Sequence, residues 1–198
     1  MPRVFRATSF LALTLCAFVA AACGDPFRIT APLATVTDSF TVSALSGTPA
    51  SARTLWRMAG FARYRLDSIG APFDLGFDLG SGGTITVYPA RTIATPPPGT
   101  ISAAPIVALQ ASATPYATAD RAPESGYRAD TALVVTRGQT IFVRSNSDFC
   151  ANQNTGGTLL YAKFVVDSID LATRTLVVRA TVQPSCNFRS FATGVPTF

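Results

Sequence analysis

Hydrophobic and polar residues alternate along several segments of this chain with a period of two, which indicates β-strands rather than helices. In residues 38–45, Phe40, Val42 and Ala44 face one way and polar residues face the other. Residues 60–69 alternate in the same manner, with Tyr64 opposite in phase to Arg63 and Arg65. Both segments are therefore predicted to be strands with one face on a core.

Residues 73–89 give the clearest hairpin prediction. Four apolar residues are predicted on one face and three others on the opposite face: Phe73, Leu75, Phe77 and Leu79 against Asp74, Gly76 and Asp78. The run Gly80-Ser-Gly-Gly83 supplies the positive φ values that a tight reversal needs. Residues 84–88 return in alternation, and Pro89 ends the pairing because proline cannot donate to a ladder.

The remaining pattern predicts two more hairpins, one from residues 131–135 and 139–144, the other from residues 163–169 and 175–182. One buried strand is expected within residues 101–110, and a short helix near residues 51–59. About ten strands joined by hairpin turns predict a single all-β domain over residues 38–198. Its expected architecture is an antiparallel β-sandwich or a partly open barrel.

The composition supports a folded body and argues against nucleic-acid binding. Of the 198 residues, 48% are hydrophobic and 14% are charged, which is too apolar for a disordered chain. The net charge of +5 includes Arg3 and Arg6 of the N-terminal segment, and the other charges are spread without a basic block. Nucleic-acid-binding proteins concentrate Lys and Arg on one face. No nucleic-acid partner is therefore expected.

The N-terminus has the three parts of a secretory leader: two arginines, an apolar run over residues 10–22 and a small-residue site. The run is shorter than the roughly 20 residues of a membrane-spanning helix. Val19-Ala-Ala-Ala-Cys23 resembles the lipobox of bacterial lipoproteins. Ala20 departs from the leucine that is commonest at its position, which leaves ordinary signal-peptidase cleavage after an alanine as the alternative.

The resemblance implies that residues 1–22 are a cleaved signal peptide and that Cys23 becomes a lipid-modified N-terminus. Two or three acyl chains give stable anchoring to a membrane. Gly24 stands where an aspartate is associated with retention in the inner membrane, so the outer membrane is favoured. Residues 23–37, with two prolines, are interpreted as the anchor and its tether. The domain is expected to face the periplasm or the cell surface.

Two cysteines remain after the leader is assigned. Cys16 lies in the apolar run and Cys23 is the predicted anchor, which leaves Cys150 and Cys186. In an oxidising compartment such an isolated pair predicts a disulfide rather than a metal or redox site. The polar segment 151–157 is expected to be a loop beside that bond.

The chain contains no histidine. This excludes Ser-His-Asp and Cys-His mechanisms and the common histidine-containing zinc sites. Lys163 is the only lysine available for a Ser-Lys mechanism, and it lies in a predicted strand. Catalysis is disfavoured on these grounds, and no cofactor is expected.

Two sets of residues are candidates for chemistry. Asp74 and Asp78, with Asp67 nearby, could form a calcium site or a catalytic carboxylate pair. The alternative, which the alternation favours, is the solvated face of an amphipathic strand. Asp167 and Asp170 are interpreted as turn residues that bond their own backbone.

The second set combines cations with aromatic side chains. Trp56 and Tyr64, together with Arg57, Arg63 and Arg65, could form a surface for an anionic glycan or a lipid head group. Alternation places Tyr64 opposite Arg63 and Arg65, which favours aromatic packing in the core and solvated arginines.

These observations favour an envelope lipoprotein with a non-catalytic binding or structural role. Its expected partners are the membrane, through the lipid anchor, and an envelope protein or glycan. Two alternatives stay open: a carbohydrate-binding module, which needs exposed aromatic rings, and a carboxylate-dependent hydrolase, which needs two carboxyl groups about 5–9.5 Å apart in a pocket.

Overall fold

The computed structural model describes residues 31–99, 104–152 and 158–193. The predicted signal peptide, Cys23 and residues 24–30 of the predicted tether lie outside the described residues. So do residues 101–103 of the predicted strand and residues 153–157 of the predicted loop.

The described residues form eleven strands and a few short helical turns. The strands are β1 (Val36–Ser43), β2 (Arg53–Arg57), β3 (Ala62–Arg65), β4 (Leu75–Leu79), β5 (Ile85–Pro89), β6 (Val107–Ser112), β7 (Arg128–Ala129), β8 (Leu133–Val135), β9 (Thr140–Ser145), β10 (Leu160–Asp170) and β11 (Thr175–Gln183). The helical elements are α1 (Asp148–Ala151) and the 3₁₀ turns Ala59–Phe61, Ala90–Thr92 and Tyr116–Thr118. None of the described helices has the length and apolar character to cross a membrane.

The strands make two antiparallel sheets that pack as a β-sandwich. The first sheet has six strands in the order β1-β11-β10-β9-β6-β7, and the second has five in the order β3-β2-β4-β5-β8. Every strand pairing in both sheets is antiparallel. The predicted all-β class is confirmed, and of the two predicted architectures the sandwich is the one observed.

The core lies between the two sheets because alternate residues of both sheets point inward. Aromatic rings occupy its centre. Trp56 of β2 lies with its ring centroid 5.2 Å from Phe40 of β1 and 6.3 Å from Phe164 of β10. Phe77 of β4 contacts Phe164 at 5.7 Å in an edge-to-face arrangement. These rings come from both sheets, so the aromatic cluster joins the two layers.

Three of the sequence predictions are confirmed by the strand pairings. Phe40, Val42 and Ala44 are buried along or directly after β1. β4 and β5 form the predicted hairpin, with Leu79 opposite Ile85. β10 and β11 form the predicted third hairpin, closed by a turn over residues 171–174.

Two of the sequence predictions are wrong. Residues 131–144 do not form a hairpin: β8 pairs with β5 in the five-stranded sheet, whereas β9 pairs with β6 and β10 in the six-stranded sheet. The turn at Gly138 therefore carries the chain from one sheet to the other. Residues 53–57 form β2 rather than a helix, and they lack alternation because Thr54, Leu55 and Trp56 are all buried.

The outer face of the five-stranded sheet is covered by loops, which the alternation did not predict. A Cβ atom on Gly76 would come within 2.7 Å of the Ile93 side chain and 3.0 Å of that of Leu45. Glycine at this position lets the loops after β1 and β5 pack directly on the sheet. The face that was expected to be solvated is therefore partly a second apolar layer.

The folded domain begins before the predicted boundary at residue 38. Ala31 is buried, and the Leu33 N–H donates to Ser185 Oγ at 3.0 Å. Val36 and Thr37 already belong to β1, where they pair with Val182 and Thr181. Val36 and Thr37 of the predicted tether thus belong to the six-stranded sheet, and Ala31 and Leu33 contact the folded domain.

The predicted disulfide is confirmed. Cys150 of α1 and Cys186, which follows β11, are bonded and both side chains are buried. The bond joins the segment after β9 to the segment after β11, so it fixes α1 against the end of the six-stranded sheet.

Candidate functional site

A cleft of about 350 Å³ opens at one end of the sandwich. It lies where β2 ends, β4 begins and β9 runs into α1, so both sheets contribute to it. Its charged lining residues are Arg57, Arg91, Asp74 and Asp148, and Asn146 and Ser147 add polar groups. The cleft thus combines two guanidinium groups with two carboxyl groups.

Asp74 lies at the inner wall of the cleft and ties the two sheets together. Its Oδ1 accepts a hydrogen bond from Ser145 Oγ of β9 at 2.6 Å. Its Oδ2 accepts one from the Met58 N–H at 2.8 Å. The side chain is only 1% exposed, so both oxygens are satisfied inside the protein. The interpretation of Asp74 as a solvated strand residue is therefore wrong.

The reason is a local change of phase at the start of β4. Trp56 faces two residues of the neighbouring strand: its carbonyl accepts the Asp74 N–H at 2.9 Å, and Leu75 is its register partner. Two residues opposite one is the arrangement of a β-bulge, which shifts the alternation by one residue. Phe73 accordingly packs in a separate cluster with Leu55, while Leu75 lies in the main core.

Burial raises the pKa of Asp74 above its usual value, although the hydrogen bonds from Ser145 and Met58 and the Arg57 charge act in the opposite direction. The neutral acid also fits this site. A proton on Oδ1 can be donated to Ser145 Oγ, while Oδ2 continues to accept the Met58 N–H. The site therefore accommodates the protonated side chain without losing a hydrogen bond.

This pKa gives a prediction for stability. The pKa of Asp74 is higher in the folded state than in the unfolded state. Its contribution to the free energy of unfolding is therefore complete below the usual pKa of aspartate and is lost as the pH rises through the raised value. In Asp74→Asn the amide Oδ1 can accept the Met58 N–H and Nδ2 can donate to Ser145 Oγ. We expect the stability of the native protein relative to this variant to fall with rising pH from about pH 4, near the usual pKa of aspartate, until the pH passes the raised pKa of Asp74.

The measurement is urea unfolding of both proteins across that pH range. Ser145→Ala is a useful companion variant, since it removes a hydrogen bond that lowers the pKa of Asp74. Its loss of stability begins at the same pH as in the native protein, because the unfolded-state pKa is unchanged, but should continue to a higher pH because the folded-state pKa is raised further. Parallel pH curves for the native protein and Asp74→Asn would contradict the assignment.

The mouth of the cleft is formed by an ion pair between the two sheets. Arg57 Nη2 of β2 donates to Asp148 Oδ1 of α1 at 2.8 Å. Asp148 Oδ1 also accepts the Phe149 N–H, and Ser147 Oγ is the N-cap of α1. The Arg57 side chain is 22% exposed and that of Asp148 is 65% exposed. The Cys150–Cys186 bond holds the same helical turn, so the disulfide positions Asp148.

Arg91 supplies the second guanidinium group from the 3₁₀ turn that follows β5. Its Nε donates to the Ala104 carbonyl at 3.0 Å, which fixes the side chain across the cleft. Its Nη1 is 3.7 Å from Asp130 Oδ2, beyond hydrogen-bond distance, and the side chain is 45% exposed. The Arg91 guanidinium thus keeps N–H donors available to a ligand.

The other acidic candidates lie elsewhere. Asp78 is held by Ser46, whose N–H and Oγ donate to its Oδ1 at 3.0 and 2.7 Å, with Arg174 at 3.6 Å. Burial acts to raise the pKa of Asp78, but these hydrogen bonds and the Arg174 charge hold it below the usual value. Asp67 pairs with Arg65 at 2.9 Å. The three predicted aspartates therefore do not share one pocket.

The remaining acidic residues have structural roles. Asp170 Oδ1 accepts the N–H groups of Ala172 and Thr173 in the β10–β11 turn, as predicted for a turn residue. Asp167 was also predicted to be a turn residue, and this is wrong: it lies within β10 and pairs with Arg179 at 2.8 Å. Across the described ranges, no group of three or more His, Cys, Asp or Glu side chains lies close enough together to hold a metal ion.

The structure separates the predicted cationic and aromatic residues. Trp56 is fully buried in the core, and Arg63 and Arg65 are exposed on the edge strand β3. Tyr161 is buried and the other four tyrosines are half-buried. Only Arg57 of this set lines the cleft. Trp56 and Tyr64 therefore do not form an open aromatic platform with these arginines.

Lys163 lies on the opposite face of the six-stranded sheet from the core, away from the cleft. Its Nζ donates to the Tyr116 carbonyl at 2.8 Å and lies 4.6 Å from the centroid of the Tyr116 ring. Burial lowers the pKa of Lys163, against the nearby Asp120 charge. Its contacts hold the 3₁₀ turn at residues 116–118 onto the sheet.

Sequence reasoning missed Arg91, Asn146 and Asp148 as members of one site. Each follows the end of a strand, and their proximity depends on which sheet each strand joins. A partial signal was present in the run Ser145-Asn-Ser-Asp148, where a strand ends and Ser147 and Asp148 begin a helical turn.

Comparisons with known proteins add no family assignment. No family model matches the chain, and no match was found among curated proteins or solved structures.

Proposed function

We propose that this chain is an exported, lipid-anchored envelope protein that uses the cleft at the end of its sandwich for non-catalytic binding. The observation that carries the proposal is the buried Cys150–Cys186 disulfide in a chain whose N-terminus resembles a lipobox. Disulfides persist in oxidising compartments such as the periplasm and the cell surface. The outer membrane is the favoured site of anchoring, because Gly24 rather than aspartate follows Cys23.

The geometry of the cleft supports binding over catalysis. A catalytic acid must reach the substrate, whereas Asp74 is almost fully buried and both of its oxygens are occupied by the protein. Asp148 is paired with Arg57. The exposed guanidinium of Arg91 and the exposed carboxylate of Asp148 are suited to recognising a charged, hydrogen-bonding ligand.

The other binding alternative is a carbohydrate-binding module, which needs exposed aromatic rings. The burial of Trp56 and the partial or full burial of all five tyrosines disfavour it. A hydrolase built on Asp67, Asp74 and Asp78 is likewise disfavoured, since their contacts lie in three different parts of the domain.

The anchor is tested by Cys23→Ala in cells that receive a radiolabelled or clickable fatty acid. We expect the label to be lost and the protein to move from the membrane fraction to the soluble exported fraction, since no other acylation site remains. Cys16→Ala is the matched control: Cys16 lies in the leader, so this variant should keep both the label and the membrane location.

Two results would contradict the anchor. One is membrane partitioning of Cys23→Ala equal to that of the native protein. The other is a mature N-terminus, determined by intact mass, that begins before or after Cys23 and carries no acyl chains.

A further inference from the structure

We infer that the cleft binds a uronic acid, a sugar ring that carries one carboxylate beside several hydroxyl groups. The inference rests on the proposed binding function of the cleft, and it is independent of the lipid anchor. The residues that line the cleft include a guanidinium group with available donors and a carboxylate with an available oxygen. A ligand that complements both must carry a negative group and hydroxyl donors on one small body.

Arg91 is the anchor for the carboxylate. Its Nε is held by the Ala104 carbonyl, which orients the plane of the guanidinium, and Nη1 makes only a long contact of 3.7 Å with Asp130. A planar, pre-oriented guanidinium binds a carboxylate through two parallel hydrogen bonds. At 45% exposure the Arg91 side chain is accessible from the cleft while part of its stem is packed.

Asp148 and Arg57 provide for the hydroxyl groups. Asp148 Oδ1 accepts hydrogen bonds from Arg57 Nη2, Ser147 Oγ and the Phe149 N–H. Its Oδ2 has no hydrogen-bond partner among the described residues. A hydroxyl group can donate to this oxygen. Arg57 uses only Nη2 in its contact with Asp148, so its remaining N–H groups can donate to a hydroxyl oxygen.

The charge balance favours a carboxylate over a phosphate. Asp148 is exposed at the mouth and is negatively charged, and Asp130 stands behind Arg91. Both negative charges repel any anion bound at Arg91, and they repel the single charge of a carboxylate less than the two charges of a phosphate dianion. The raised pKa of Asp74 also keeps the inner wall less negative than the number of carboxyl groups suggests.

The size and the apolar part of the wall suit one sugar ring. About 350 Å³ lies at the lower end of the range for small-molecule pockets. Pro72, Ala104 and Pro105 give the cleft an apolar side against which ring C–H groups can pack. A uronic acid thus matches the cleft in charge, hydrogen bonding and volume.

The test is calorimetric titration of the purified full-length protein with glucuronate and galacturonate. Glucose, galactose, acetate and inorganic phosphate are the matched probes, because each keeps only part of the proposed chemistry. We expect at least one uronate to bind at least tenfold more tightly than its neutral sugar and than acetate. Equal affinity for the neutral sugar, tighter binding of phosphate, or no binding of either uronate would overturn the inference.

Three variants locate the site. Arg91→Gln should weaken uronate binding at least tenfold, and Arg91→Lys should also weaken it because lysine lacks the planar fork. Arg63→Gln removes the same charge from exposed β3, outside the cleft, and should leave binding unchanged. Thermal unfolding of each variant shows whether the fold is intact. Loss of binding in Arg63→Gln but not in the Arg91 variants would place the site elsewhere and refute the inference.

The outcome is separable from that of the proposed function. Binding of a neutral sugar or of phosphate that Arg91→Gln weakens would reject the uronate while keeping the cleft as a binding site. Absence of uronate binding in a protein that loses its membrane anchor on Cys23→Ala would reject the ligand and leave the envelope location supported.

Discussion

Replacing Trp56 with alanine is expected to lower the free energy of unfolding by about 3–5 kcal/mol. The indole of β2 is fully buried and contacts two aromatic rings of the six-stranded sheet, Phe40 at 5.2 Å and Phe164 at 6.3 Å. Alanine would leave a large cavity at the place where the two layers meet. Because the interior is close-packed, neighbouring rings from β1 and β10 cannot collapse fully into that space.

Urea denaturation followed by circular dichroism measures this effect without needing the tryptophan signal. Trp56→Phe should cost much less than Trp56→Ala, because it keeps an aromatic ring and because the Trp56 Nε1 has no hydrogen-bond partner to lose in the described part of the chain. Ile69→Ala is the control for an exposed apolar residue: Ile69 is 84% exposed, and its change should stay within about 0.5 kcal/mol. A Trp56→Ala cost no greater than that of Ile69→Ala would contradict the central position of Trp56.

The features predicted correctly from the sequence are those that local chemistry specifies. Alternation identifies the buried face of β1 through Phe40 and Val42. The glycine run at 80–83 and the turn at 170–174 lie between strands that pair with each other. In such hairpins the turn and the strand pairing are determined by residues close in sequence, so one continuous segment contains all the information for the hairpin.

The crossing between sheets at residues 136–139 was not predictable in this way. The Gly138 φ of +81° and the hydrogen bond from the Gln139 N–H to the Thr136 carbonyl describe a tight turn. Such a turn serves equally in a hairpin and in a connection between two layers. The choice depends on β5 and β10, which lie far away in sequence and offer edges to β8 and β9.

The candidate site was predicted less well than the fold for a related reason. Asp74 was assigned to a solvated face by strict alternation, and a bulge opposite Trp56 turned it toward Ser145 of the other sheet. Alternation gives no information on Arg91 or Asp148, since each lies after the end of a strand. The cleft exists because the ends of strands from both sheets meet there, which is a property of the topology rather than of any segment.

The disulfide connects this topology to the cleft. It joins α1, which carries Asp148, to the segment after β11. α1 has only four residues, too few to be stable by itself. Its position therefore depends on the Cys150–Cys186 bond, on the Ser147 cap and on the ion pair with Arg57.

The double variant Cys150→Ala/Cys186→Ala removes the disulfide bond and is expected to lower the free energy of unfolding by about 4 kcal/mol. The bond stabilises the protein because it closes a loop with a sequence separation of 36 and so restricts the unfolded chain. Denaturant unfolding of the native protein with and without reductant gives the companion measurement. If the bond itself is responsible, the reduced native protein should approach the stability of the double variant, and its intact mass should rise by two hydrogen atoms. A difference below about 1 kcal/mol between oxidised and reduced protein would show that loop closure contributes little here.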